Sequence, residues 1–499
     1  MNVPWLTILF IAYLFGLIAI AIIARHRTSR TFNSYALADR KIPWWLVGFS
    51  LLGSYIGGGT LVAMAGKISI VGLSYFIIPV SVGLGFWLLG RWAKFYRTKL
   101  ALETTSTSSF AERLSKQYDM ATRHTVRGVA ALLIFIIMLL FMSVQLRAGG
   151  EVIQSIFGLP ALTAVIGFTL IVAFYTFIGG TRADVWTDFL QICIVFLGLS
   201  LALAAILIQE SPTGILENLQ SANEPGYLGW FSQGLFFIVG VLILTTFAIH
   251  TDAGIQQRLL ITPKHGDATK GSRLASLVYL VFGALLISTV FAASSLPGIE
   301  KGDQVLFSMA KSYLPVPLTA LFMVAVVSAI ISTVDSEVIL LGVLFSNDYY
   351  KLYHAGKAFK AKGEPNGSQK ELYRVTRWWI IFCFILVLGI AIIPFKALFD
   401  LISSIWVLAI GCFGLPLLGL IVPWIGNRLR PKLVVAQMLW SVVAVAAIGI
   451  LAYFRGADVT NSMVSLGLGL IILNFITAIV YDKICTRIKI ANAKRGNRP

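Results

Sequence analysis

Apolar runs of about 20 residues, separated by short polar segments, repeat along this 499-residue chain. A run of that length is what a helix rising about 1.5 Å per residue needs to cross the hydrocarbon core of a bilayer. The pattern predicts helices rather than the shorter alternating strands of a barrel. Thirteen spans are expected, over 4–24, 42–66, 70–90, 128–157, 160–179, 184–209, 230–250, 273–296, 318–345, 376–395, 397–423, 433–453 and 461–481. The first has no basic segment ahead of it and is followed by "RHRTSR", so it reads as a retained helix and not a cleaved leader. A single all-α membrane domain is expected, with no appended soluble module and a basic tail over 482–499.

Three spans interrupt the pattern. The second carries Gly57, Gly58 and Gly59 near its middle, and each glycine weakens a helix by about 1 kcal/mol relative to alanine. Small residues here allow close helix packing. They equally allow a broken helix, tolerated in lipid only where the freed carbonyls face protein, water or an ion. The seventh span, five crossings later and so reversed in direction, has a central Gly240 and the pair Thr245-Thr246. That correspondence points to an inverted repeat pairing 42–209 with 230–423.

The ninth span contains "SAIISTVDSEV", in which Ala329, Ser332 and Thr333 fall at i, i+3 and i+4. One carbonyl and two hydroxyls therefore share a helix face. Neutral oxygens suit a hard monovalent cation that must later be released. An isolated hydroxyl in such a helix more commonly bonds back to its own i−4 carbonyl. Asp335 shifts the balance toward an ion pathway or gate, because a carboxylate within a span costs several kcal/mol unless paired, hydrated or near an interface. Ser336 continues the oxygen cluster, and Glu337 lies further toward a wet inner vestibule.

Composition agrees: 58% of residues are hydrophobic, 12% are charged and mean hydropathy is +0.84, which excludes an ordinary soluble domain. The net charge of +18 would suggest nucleic acid in a soluble protein. Its distribution says otherwise. Lys and Arg gather in alternate loops such as "RHRTSR", "QRLLITPKHGDATKGSR" and "NRLRPK", while "QESPTGILENLQSANEPGY" lacks them. By the positive-inside rule the chain lies in the plasma (inner) membrane with its N-terminus outside and its C-terminus in the cytoplasm. Topology explains these loops without anionic lipid, though membrane lipid remains a partner. The four cysteines stand singly, so no disulfide framework or metal knuckle is implied. No nucleophile, base and orienting group occur together, and no enzyme is expected.

Where the fifth and sixth spans meet, Gly179-Gly180 ends one helix and Asp184 is placed to cap the next. The run Tyr175-Thr176-x-x-Gly179-Gly180, followed by Trp186-Thr187-Asp188-x-x-Gln191, resembles the signature of the sodium:solute symporter family. "PWWLVGFSLLGSYIGGGT", "TDAGIQQRLL" and "SAIISTVDSEVILLGVLFSNDYYK" match in the same order, covering roughly 30–420.

The resemblance implies a LeuT-like five-plus-five fold with an extra N-terminal helix (4–24) and two C-terminal helices (433–481). It implies a Na+ site built from the carbonyls of Gly53, Ile56 and Ala329 and the hydroxyls of Ser332 and Thr333. Gly53 stands where the family often has Ala, which should not disturb a carbonyl ligand. A second cation site would use Asp188, Ser332, Asp335 and Ser336. Asp335 replaces a frequent Ser, and could instead bind a proton or pair with Arg182 or another basic group. For the solute, the resemblance points to Tyr55, Gly58, Phe141, Gln145, Thr245, Phe247 and Ala248. Aromatic faces suit a quaternary amine, and Arg147 could pair with Glu151 or attract a carboxylate.

The function so implied is sodium-coupled symport of a small organic solute by alternating access, with an amino acid, zwitterion or quaternary amine favoured over a sugar. A proton-coupled carrier and a channel-like or sensing member are the alternatives. Na+ is the only cofactor implied; no nucleic acid or required protein partner is.

Overall fold

The computed structural model describes residues 3–98, 109–222, 226–355, 365–393, 398–426, 428–455 and 459–496. Lys99 and the basic residues within 356–364 lie outside the described residues. Every regular element among the described residues is helical. The helices that matter below are α1 (Val3–His26), α2 (Trp44–Gly53), α3 (Gly59–Val71), α4 (Ile77–Thr98), α5 (Phe110–Ser115), α6 (Met120–Phe157) and α7 (Ala161–Gln209). They are followed by α8 (Gly234–Thr251), α9 (Ala253–Arg258), α10 (His265–Ser294), α11 (Val316–Leu344), α12 (Pro365–Ala391), α13 (Leu398–Ile421), α14 (Pro431–Arg455) and α15 (Val459–Gly496).

Among the described residues, eleven helices are long and apolar enough to cross a membrane, against thirteen spans expected. Two features account for the difference. The second expected span is two short apolar helices, α2 and α3, separated by an irregular stretch around Ser54–Gly57. The fifth and sixth are continuous in α7 except at Gly180, whose φ of 68° is open to glycine at little cost. The chain reverses there. Leu170 and Phe174, before Gly180, line one cleft with Leu14 and Leu17 of α1. Ala183, after it, packs on Ala21 and Ala24, and Gln191 returns to the level of Tyr13. Both arms of α7 thus run along the same helix in opposite directions.

The helices sort into two packed groups. Helix α4 packs on α8 and α10, and α10 on α2; α11 packs on α6, α7 and α12. The break between α2 and α3 faces α11 across the seam between them. Helix α1 joins the second group through Tyr13, whose hydroxyl accepts from Gln191 Nε2 (2.8 Å) and Ser328 Oγ (3.3 Å). Large apolar side chains such as Phe15, Ile23, Leu170, Phe174 and Ile208 remain exposed on the outer surface, as expected where lipid is the solvent.

The expected charge asymmetry becomes two distinct ends. At one, the basic loops meet: Arg182 pairs with Asp39 (3.4 Å), Arg113 donates to the Gln256 carbonyl (2.9 Å), and Arg127 pairs with Asp348 (2.6 Å). At the other, the Leu73 N–H donates to the Tyr227 carbonyl (2.8 Å) and Gly302 N–H to Ser69 Oγ (2.9 Å).

Candidate ion and solute site

Helix α2 stops because its hydrogen-bond ladder stops. The Ile56 N–H still bonds to the Leu52 carbonyl (2.7 Å), and the ladder resumes with Thr60 and Leu61 on Gly57 (3.1 and 2.7 Å). Between these, the Gly59 N–H donates to Gln145 Oε1 of α6 (3.3 Å). The three glycines are there because nothing larger fits. A Cβ on Gly57 would lie 2.7 Å from Gln145 Oε1, and one on Gly58 would lie 2.9 Å from Ala148 and Ile330. Close packing and a broken helix, offered as alternatives by the sequence, therefore occur together.

At the α2 end of the break, Thr333 Oγ1 donates to the Gly53 carbonyl (3.0 Å) and lies 3.4 Å from the Ala329 carbonyl. Ser332 Oγ donates to the same Ala329 carbonyl (2.8 Å). These residues are fully buried or nearly so. Four of the five sequence-predicted ligands, Gly53, Ala329, Ser332 and Thr333, are thus joined by hydrogen bonds, and Ile56 stands in the break beside them. Oxygens sharing a cation at about 2.4 Å in octahedral array sit about 3.4 Å apart; the Thr333–Ala329 pair has that spacing, while the 2.8 and 3.0 Å pairs are drawn together by the hydroxyl hydrogen bonds. The donor set is neutral, the chemistry that suits a monovalent ion. The residues fit sodium.

Toward the basic-loop end lies a charged layer. Carboxylate oxygens of Asp184, Asp188 and Asp335 fall within 4.8 Å of one another, all buried. Asp188 Oδ2 accepts from Ser50 Oγ (2.7 Å), and Asp335 accepts from the Tyr175 hydroxyl and from the Ser336 N–H (2.9 Å). Ser336 Oγ donates to Asp184 Oδ1 (2.9 Å). Arg258 of α9 stands 2.5 Å from Asp184 Oδ2, and it also donates to Ser54 Oγ (3.2 Å) and Ser336 Oγ. One guanidinium therefore ties the break, α7 and α11 together.

Two sequence expectations change here. Asp184 does not serve as a helix cap; the break falls at Gly180 itself, so Asp184 lies about a turn inside the second arm, where it is buried in an ion pair. Arg182 does not reach Asp335. It turns outward to Asp39, and Arg258, six residues beyond the α9 cap Asp252, supplies the basic group. Gly53 also matters beyond its carbonyl, since a methyl there would collide with the Asp188 carboxylate. Gly53→Ala is therefore expected to push Asp188 off Ser50, to cost about 1–3 kcal/mol of stability, and to raise the sodium needed for half-maximal activity. Thermal melting with sodium titration reads both; unchanged sodium dependence would separate Asp188 from the ion.

The expected solute residues divide into two sets. Tyr55 stacks parallel to Trp406 of α13 (6.3 Å between centroids) and meets Phe86 and Tyr279 edge-on, each at 5.8 Å. Thr245 and Trp406 line one small cavity of about 30 Å³. Gln145 holds the break through Oε1, while its Nε2 and the Tyr55 hydroxyl are buried donors without a partner among the described residues. Gly58 is wedged between α6 and α11. Of the seven expected solute residues only Thr245 lines that cavity; Tyr55, Gly58, Phe141, Gln145, Phe247 and Ala248 do not. Arg147 pairs with Glu151 at 3.1 Å. Trp406 had no assigned role in the sequence, while Asp184 was read as a cap, Arg258 as a loop charge and Tyr175 only as part of the signature; none was placed at the site.

Hydrogen bonds tie elements together at both ends of this site. Arg113 on α5 and Gln256 on α9 lock together beneath it, with Gln256 Nε2 donating to the His250 carbonyl (2.9 Å). The Tyr227 hydroxyl donates to the Ile68 and Ser69 carbonyls (3.1 and 3.2 Å) at the far end of α3.

Comparison with known proteins agrees with this geometry. Residues 35–424 match the model of the sodium:solute symporter family. The chain is 23% identical over 411 residues to a sodium/proline symporter of Escherichia coli (strain K12), covering 80% of this chain and 79% of that one. It is 24% identical over 416 residues to a sodium/proline symporter of Staphylococcus aureus, covering 81% and 79%. Among solved structures, a Na+-coupled sialic acid symporter superposes with a TM-score of 0.75 at 18% identity, over 95% of this chain and 98% of that one. MhsT in complex with L-phenylalanine superposes with a TM-score of 0.53 at 12% identity, over 87% and 98%.

Proposed function

The chain belongs to the sodium:solute symporter family, and from that premise we propose that it carries a small amino acid or zwitterion of the proline kind together with sodium, by alternating access. It is a multi-pass membrane carrier and not an enzyme. The observation that carries the solute class is the pair of buried unpartnered donors at the break, Gln145 Nε2 and the Tyr55 hydroxyl, beside an aromatic wall of Tyr55 and Trp406. Two donors suit a carboxylate, and an aromatic face suits a ring or an ammonium group. The curated relatives that handle proline support the same class.

Sodium occupies the oxygens of Gly53, Ile56, Ala329, Ser332 and Thr333. It steadies the break against α11 and so raises affinity for the solute. Linkage makes this reciprocal: the solute tightens sodium by the same factor. With the basic-loop end in the cytoplasm, an inward-negative potential adds about 2.3 kcal/mol per charge per 100 mV. The second layer at Asp188, Ser332, Asp335 and Ser336 holds a second cation. Its two aspartates, with Asp184 beside them, face the single guanidinium of Arg258, and that imbalance equally favours a proton-coupled reading.

Uptake of radiolabelled proline into proteoliposomes tests the reading. An inward sodium gradient is expected to drive accumulation, and a potassium gradient is not. Accumulation driven equally by a proton gradient without sodium would replace sodium coupling with proton coupling. Sodium-driven uptake that excludes proline but accepts another zwitterion would keep the mechanism and change the solute.

A further inference from the structure

A cleft of about 460 Å³ opens on the outer surface at the basic-loop end, between the end of α1, the start of α2 and the second arm of α7. Its chemistry is split. At its base stand Arg27, Lys41 and Arg182; above them Ile20, Ile23 and Trp186 form an apolar wall. Arg182 is shared with Asp39 and with the Arg27 carbonyl (3.1 Å). Arg27 and Lys41 are exposed and enter no ion pair among the described residues. Ile23 is 58% exposed and Trp186 43%, so the wall is uncovered.

The vertical order of these groups matches the edge of a bilayer. Arg27 follows Ile20 by seven residues, roughly 10 Å along a helix. The base of the cleft thus sits at headgroup depth when its wall lies in the acyl region. Trp186 stands where indole rings favour the membrane interface. Two uncompensated cations under an apolar slot fit a phosphodiester carrying fatty acyl chains. A soluble anion would leave the slot exposed, and a zwitterionic lipid would leave the charge unmatched.

We propose that this cleft is a binding site for one anionic phospholipid, its phosphate held by Arg27 and Lys41 and an acyl chain laid along Ile20, Ile23 and Trp186. The proposal rests on the membrane reading and is independent of sodium coupling. It also gives the first helix a contact that the core transporter does not need.

The test uses the full-length protein in nanodiscs of mixed phosphatidylglycerol and phosphatidylcholine, with retained lipid counted by native mass spectrometry. One phosphatidylglycerol is expected to be retained in preference. Each basic side chain near an anionic surface contributes about fivefold to binding, so R27Q/K41Q is expected to reduce that preference about 25-fold. As a second measurement, phosphatidylglycerol brominated on its acyl chains is expected to quench a share of the fluorescence that disappears in Trp186→Phe. Equal retention of both lipids, an unaltered preference in R27Q/K41Q, or equal quenching by brominated phosphatidylcholine would overturn the proposal. Displacement of the lipid by inorganic phosphate would do so too, by identifying a soluble-anion site.

Discussion

Thr333→Val, which keeps the shape of the side chain and removes only its hydroxyl, is expected to lower uptake at limiting sodium by one to two orders of magnitude. The hydroxyl lies 3.0 Å from the Gly53 carbonyl and 3.4 Å from that of Ala329, so it touches oxygens from both sides of the seam. Removing one ligand to a charge costs about 1.5–3 kcal/mol, a factor of roughly 10 to 150 in affinity. The loss should appear as a raised sodium requirement. Saturating sodium is expected to restore most of the maximal rate, and Thr333→Ser, which keeps the oxygen, to restore the affinity. Sodium dependence measured by initial uptake in proteoliposomes decides it. A variant whose half-saturation is unchanged would remove Thr333 from the ion site.

The largest effect on stability is expected at Arg258. It is 5% exposed, pairs with Asp184 at 2.5 Å, and reaches Ser54 and Ser336. Breaking a buried pair from one side costs about 3–5 kcal/mol, because the partner stays charged and unpaired. Arg258→Gln leaves Asp184 next to Asp188 and Asp335 with no counter-charge from α9, so repulsion adds to desolvation. Asp184→Asn should also destabilise, though less, since Arg258 can then turn to the remaining carboxylates. The double variant R258Q/D184N is expected to be more stable than the sum of the singles by at least about 1 kcal/mol. Thermal unfolding in detergent measures the cycle, and additivity within about 0.5 kcal/mol would show that the two charges do not act as a pair.

The helix face proposed to bind the ion was legible in the sequence because it is local. Ala329, Ser332 and Thr333 share a face of α11 whatever lies opposite, and Gly57–Gly59 mark a weak point wherever they fall. The reversal at Gly180 was legible for the same reason. What stayed hidden depends on distant partners. Asp184 looked like a cap because three residues follow a Gly-Gly pair, and nothing nearby reveals an arginine 74 positions later. Arg258 was counted among loop charges that set topology, since a hydropathy pattern cannot show that α9 folds back under the site. Gln145 was assigned to the solute, but its Oε1 first satisfies a backbone N–H that the break leaves free, and only its Nε2 remains for a ligand. Glu337, expected in a wet vestibule, is instead 1% exposed against Gly254 of α9.

Tyr13 gives the first helix a use in measurement. Through one hydroxyl it is fastened to Gln191 on α7 and Ser328 on α11, helices that belong to the same packed group. Helix α1 must then travel with that group as one rigid body, while α2 and α3 belong to the other. A spin label at Ile8, which is 56% exposed, should keep a constant distance to a label on α7 through a full transport cycle. Its distance to a label on α3 should change with each opening. The helix outside the repeat thus supplies a ruler attached to the frame, against which the moving half can be read.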